Sequence, residues 1–251
     1  MKSVLIAAYK RRRTQQLFLA VFALLVFVIG HQAHAIKPAN NQAYQEPSFC
    51  MDQAIKPSIN IDIVEVPVRF DMTKAVEDLG RMKQTLPSRF AGDVDVITGG
   101  MMSGDIKLAH ALSFKKSPQN PKCFAIEQID ITLSMTSKIY VAQDFQKRPC
   151  LFKEIFAHEA KHIDVDRDVL QKHSDRIMSG LHLLWERPQD YIFLAPRSLH
   201  VPARNMIRDD VAEALKALFI HMMQDRNYAQ SKVDTIEEYA RISDACPQEG
   251  F

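Results

Sequence analysis

The chain has 251 residues, 47% of them hydrophobic and 25% charged, with a formal net charge of +2. Five of its 32 basic residues (Lys2, Lys10, Arg11, Arg12 and Arg13) precede residue 36 with no acidic residue among them, so 27 basic side chains face 30 acidic ones thereafter. That balance gives no reason to expect a nucleic-acid partner, and residues 36–251 are enough for one domain with a full core.

The first 35 residues have the parts of a secretory signal peptide: the basic run Lys10-Arg11-Arg12-Arg13, an apolar stretch from Leu17 to Ile29, and Ala33-His34-Ala35. The apolar stretch is shorter than the roughly 20 residues of a spanning helix, so cleavage after Ala35 is expected, with membrane attachment only if the segment is retained. The mature protein is then exported, to a periplasm or beyond. Residues 36–58 read as an extended lead and 59–251 as the functional domain.

All four cysteines (Cys50, Cys123, Cys150 and Cys246) fall in the exported part and imply two disulfides. Three connectivities are open; Cys123–Cys150 and Cys50–Cys246 are preferred, the first tying a strand to the helix that follows it. No pair has the close spacing of a cysteine metal site.

Ile61 to Phe70 is rich in β-branched residues and reads as a strand, with Pro67 marking an edge or a bulge. Asp71 is positioned to cap a helix to about Leu86, with Met72, Ala75, Val76, Leu79 and Met82 as its inner face and Pro87 as its stop. Gly99 to Gly104 reads as a flexible turn, since it lacks the lysine and spacing of a phosphate loop. Strands are expected over Ile106–Phe114, Phe124–Leu133 and Ile139–Ala142. A long helix spans about Leu151 to Trp185, free of Gly and Pro until Gly180, with apolar residues recurring at Phe152, Ile155, Phe156, Ile163, Leu170, Ile177 and Leu181. Further helices are expected over about Ala203–Met223 and Thr235–Ile242. Trp185 and the methionines read as core, and His173 as a solvated helix residue.

Within the long helix stands His158-Glu159-Ala160-Lys161-His162, an H-E-x-x-H motif. Residues four apart on a helix are neighbours about 6 Å along the axis, so one cation can reach both imidazoles while Glu159 lies in an adjacent sector. The spacing therefore points to a zinc site.

The order strand, helix, three strands, motif helix and further helices resembles the catalytic half of the zincin metallopeptidases. The resemblance is strongest for bacterial exported proteins described as predicted secreted zinc-dependent proteases. It is carried by the signal peptide, the cysteine before the helix and His-Glu-Ala-Lys-His-Ile-Asp-Val-Asp at 158–166, and covers roughly residues 60–245. It implies an α+β, zincin-like fold with a small mixed sheet packed on the motif helix. It also implies Zn²⁺ held by His158 and His162, with Glu159 as the general base that activates water on the metal. The substrate would be a peptide or protein lying as an added strand beside the sheet.

A third ligand is needed. Asp168 sits where metzincins carry theirs, but Val165 replaces the glycine that would turn the chain, leaving Asp168 about 9 Å along an unbroken helix from His162. Asp166 is about 12 Å along from His158. Antiparallel packing of the two long helices would set His162 opposite a position near residue 226 and bring residues 233–239 to the metal. Asp234 then ranks first, Glu238 and Glu237 next, and Glu213 last. A capping box at Asp234 or Thr235 is an equally good account of that segment. Tyr239 and His200 are candidates to stabilise an oxyanion, or ordinary packed residues. The rival to an enzyme is a non-catalytic envelope protein that binds or assembles on the same fold.

Overall fold

The computed structural model describes Cys50, residues 56–85 and residues 99–249. The expected signal peptide, nearly all of the expected lead and the expected helix stop at Pro87 fall outside the described residues.

The architecture is α+β, with a mixed sheet built around one long strand. β1 is Ser58–Glu65, β2 Arg69–Asp71, β3 Gly100–Lys116, β4 Cys123–Val141 and β5 Ile192–Leu194. β3 runs antiparallel to β4 along one side, from Gly100↔Val141 to Lys116↔Phe124. On the other side of β4 lie β5 (antiparallel), then β1 and β2 (both parallel). The alternation of β4 explains its length: Ile129, Ile131, Leu133, Met135, Ile139 and Val141 are buried, while Gln128, Asp130, Thr132, Ser134, Lys138 and Tyr140 are half-buried on the opposite face. The two strands expected over 124–133 and 139–142 are therefore one. The polar run Ser134–Lys138 disguises the link, although Met135 keeps the inward phase.

Other expectations are corrected nearby. The strand expected over 61–70 breaks at Pro67, which has no N–H for the ladder; Val66 N donates to Met135 O (2.9 Å) and pairing resumes only at Arg69. Asp71 is not a helix cap. It ends β2, where its carboxylate accepts from Thr73 N (3.0 Å), Thr73 Oγ1 (2.7 Å) and Lys138 Nζ (2.7 Å). Helix α1, Val76–Thr85, begins later, and Met72 stays exposed outside it. Gly100 to Gly104 is not a turn but the first stretch of β3, with Gly99 just before it.

The motif helix α2, Pro149–Leu184, has proline at its first position and buries Leu151, Ile155, Ile163, Leu170, Ile177 and Leu181 against the sheet and the later helices. Its first amide groups have no side-chain cap from the preceding loop. Instead Cys150 N and Leu151 N donate to the Glu249 carboxylate (3.2 and 3.0 Å). After a single turn α3, Pro188–Tyr191, helix α4 spans His200–Gln230 and α5 spans Ile236–Ala245. α4 runs antiparallel to α2, since His162 meets Gln230 and Asp166 meets Arg226, while Arg176 meets Asp225. Among the described residues no helix is long and apolar enough to cross a membrane.

All four cysteines are paired, but as Cys50–Cys123 and Cys150–Cys246. The preferred pairing of Cys123 with Cys150 fails because Cys123 opens a 19-residue strand and Cys150 follows its far end. At about 3.3 Å per residue that strand carries the chain roughly 60 Å from Cys123 before the turn into α2 begins.

Candidate metal centre

Two elements converge beside β3. α2 supplies His158 and His162, both buried, and the turn before α5 supplies Asp234. His158 Nε2 and His162 Nε2 each lie 3.3 Å from the same oxygen, Asp234 Oδ1. One ligand atom from each residue falls within 4.8 Å of the others. Asp234 is available because Thr235, not Asp234, caps α5: Thr235 Oγ1 accepts from Glu238 N at 3.1 Å. The turn that starts the helix thus holds Asp234 beside the histidines.

The donor set suits zinc. Two ligands each about 2.0–2.1 Å from a tetrahedral ion lie roughly 3.3 Å apart, the separation of each Nε2 from Asp234 Oδ1. Two imidazoles and one carboxylate leave a fourth position open, as catalytic sites require. Burial raises the Asp234 carboxyl, but hydrogen bonds from His158 and His162 outweigh it and hold the group well below the usual carboxylate range. Burial lowers His162, and Asp234 outweighs that, raising it overall. Tyr239 Oη donates to Asp234 Oδ1 (2.7 Å), and its ring lies 5.5 Å from that of His158. Burial and then Asp234 push its phenol up. That hydroxyl is committed to orienting the carboxylate.

Glu159 is 3% exposed, and burial pushes its carboxyl up to about 7 against the opposing pull of His162 and His158, with a hydrogen bond from Met102 N favouring the ionised form. β3 is close enough to enclose it because Gly100 has no side chain. A Cβ there would stand 2.6 Å from Ile155 Cγ2 and 2.7 Å from Glu159 Oε1. The result is a carboxyl group poised near neutrality, beside but not within the ligand cluster.

The remaining candidates take other positions. Glu238 lies behind His158, its Oε1 3.5 Å from Nδ1, and is engaged by Lys161 (2.5 Å) and Arg241 (2.9 Å). Arg241 and Lys161 lower its carboxyl to about 2, which keeps it anionic as an outer neighbour of the imidazole. Glu237 is exposed, and Glu213 is an exposed partner of Lys216 on α4. Asp168 is exposed. Asp166 is fully buried but paired with Arg226 (2.7 Å) rather than aimed at the cluster. His200 is no oxyanion donor: it stands at the other end of α4, packs 4.9 Å from the Phe124 ring and donates to Ala195 O (3.0 Å). His173 is not solvated but 3% exposed, held by Asp225 at 3.1 Å.

Sequence reasoning missed Gln230 and Arg226, which meet the motif helix from α4. One signal pointed there: Asp166 continues the four-residue spacing of His158 and His162, so it shares their face of α2.

Comparison of the chain with protein-family models, with curated proteins and with solved structures finds no match.

Proposed function

We propose that this chain is an exported zinc-dependent hydrolase, a zincin-like metallopeptidase. The observation that supports this best is the convergence of His158 Nε2, His162 Nε2 and Asp234 Oδ1 around one position with the buried carboxyl of Glu159 alongside. Bound zinc would supply a Lewis acid that acidifies water and polarises a carbonyl. Glu159 takes the proton of the attacking water and returns it to the leaving amine, a role suited to a carboxyl that titrates near 7. His158 and His162 would hold the metal as neutral imidazoles, and Asp234, steadied by Tyr239, would complete the set.

The substrate is a peptide or protein. Among the described residues β4 is the strand that pairs with β3, and an extended segment added along the opposite side of β3 would lie next to Glu159. Export is supported by the signal-like first 35 residues and by two disulfides, which persist in an oxidising compartment.

The test is cleavage of a quenched peptide library by the zinc-loaded protein with disulfides intact. Cleavage that is lost in Glu159→Gln, with zinc retained, is expected. A wild-type protein that binds zinc yet cleaves nothing would favour a non-catalytic envelope binding or assembly module on this fold.

A further inference from the structure

Beneath His162 lies a buried polar cluster that the proposed chemistry does not use. Asp166, 0% exposed, accepts from Arg226 Nε (2.7 Å) and Gln230 Nε2 (2.6 Å) at Oδ1, and from Arg226 Nη2 (2.8 Å) at Oδ2. Arg226 Nη2 also reaches Gly104 O at 3.4 Å, where the glycine leaves room for both side chains. The forked pair neutralises the charge and ties α2, α4 and β3 together at one point.

Gln230 is locked by this pair. An amide nitrogen has two hydrogens, and both are used: one goes to His162 O (2.8 Å) and one to Asp166 Oδ1 (2.6 Å). Turning the amide over would aim its oxygen at two acceptors, so Oε1 is the atom that faces His162 Nδ1. Oε1 can only accept, so Nδ1 must carry hydrogen. In the neutral ring Nε2 then holds the lone pair, and it faces Asp234 Oδ1, itself an acceptor, at 3.3 Å. Two acceptors remain face to face only around a cation, either a proton or a metal.

We infer that Gln230, held by the Asp166–Arg226 pair, is the positioning residue that keeps hydrogen on His162 Nδ1 and aims its Nε2 at the metal position. His158 lacks a formed hydrogen bond of this kind: its buried Nδ1 makes none, and the Glu238 carboxylate stands off at 3.5 Å. His162 is therefore the pre-set ligand of the two. The consequence for zinc rests on the proposed function; the state of Nδ1 does not.

The test compares the full chain with Gln230→Met, which removes the acceptor and nearly keeps the side-chain volume. The readouts are the His162 Nδ1–H signal of ¹⁵N-labelled metal-free protein and zinc affinity by chelator competition. The wild type should show a protected Nδ1–H. Gln230→Met should lose it and bind zinc ten- to a hundred-fold more weakly, the effect of an outer partner. In Gln230→Met the hydrogen of the neutral His162 ring should move to Nε2, where Asp234 Oδ1 at 3.3 Å accepts it, whereas a merely structural role for Gln230 would leave the Nδ1 tautomer in place. A bare Nδ1 in the wild type, or unchanged zinc affinity in Gln230→Met, would overturn the inference. A wild type with the protected Nδ1–H but no zinc binding would instead overturn the metallohydrolase reading and leave the hydrogen-bond assignment standing.

Discussion

Helix α2 meets a carboxylate from the returning chain twice, at His158 and His162 with Asp234 and again at His173 with Asp225. The residue types are the same and both places are shielded from water on the helix side. Their charge neighbours differ. Asp225 Oδ2 is shared by Lys172 Nζ (3.3 Å), His173 Nε2 (3.1 Å) and Arg176 Nη1 (3.0 Å), so its charge is already matched. Burial, with Arg176 and Lys172 opposing Asp225, keeps His173 below its ordinary pKa. At the first place two ring nitrogens share one carboxylate oxygen, and the adjacent cation Lys161 is drawn off by Glu238. An arrangement with two lone-pair donors and an unmatched anion attracts a divalent cation, whereas one ringed by Lys and Arg repels it. Histidine beside aspartate is therefore not enough; where the nearby cations go decides.

The two places also differ in how they are tethered. Cys150–Cys246 joins the start of α2 to the residue after α5 and closes a 96-residue separation around both clusters, but it lies next to the elements bearing His158 and Asp234. Replacing both cysteines by alanine should cost about 4–5 kcal/mol by loop-closure entropy, read by chemical denaturation. Zinc affinity should fall with it, while the His173–Asp225 contact, held by α2–α4 packing, survives in the folded fraction.

The pH dependence separates the places next. Glu159, with its carboxyl raised from 4.5 to about 7, favours the folded metal-free state when protonated. That contribution is complete below about 4.5 and is lost as pH rises through about 7, a swing of roughly 3 kcal/mol. Glu159→Gln should flatten this part of the stability profile and stabilise the metal-free protein at pH 8. An unchanged profile would place Glu159 in a wetter setting than its burial indicates.

Matched substitutions sharpen the contrast further. Asp234→Asn should weaken zinc binding by at least a hundred-fold, about 2.8 kcal/mol, and Asp225→Asn should leave it within error, both by calorimetric titration. Smallest is Gly100→Ala, whose Cβ would crowd Ile155 and Glu159, with a cost of about 1–3 kcal/mol in thermal unfolding and no effect on His173.

Much of the first place was legible in the sequence and little of the second. The uninterrupted apolar period from Phe152 to Leu181 marks α2, and four-residue spacing puts His158 and His162 together. Antiparallel packing led to a position near 226 and on to Asp234; the residue that meets His162 is Gln230, because α4 runs seven residues past Met223. Tertiary contacts hid the rest. His173 reads as solvated because its helical neighbours Lys172 and Arg176 are charged, yet those side chains turn to Asp225 and cover it. The disulfide pairing was lost with the continuity of β4, and Gly99 and Gly100 resemble a turn unless the nearness of Phe145, Ile155 and Glu159 is known.

The most direct measurement is the zinc content, by elemental mass spectrometry, of the purified chain with disulfides intact, beside His162→Ala and His173→Ala. About one zinc per chain in the wild type and in His173→Ala, with none in His162→Ala, is the expected result. Absence of zinc from all three after incubation with the metal, or its loss in His173→Ala alone, would contradict the assignment of the metal to His158, His162 and Asp234.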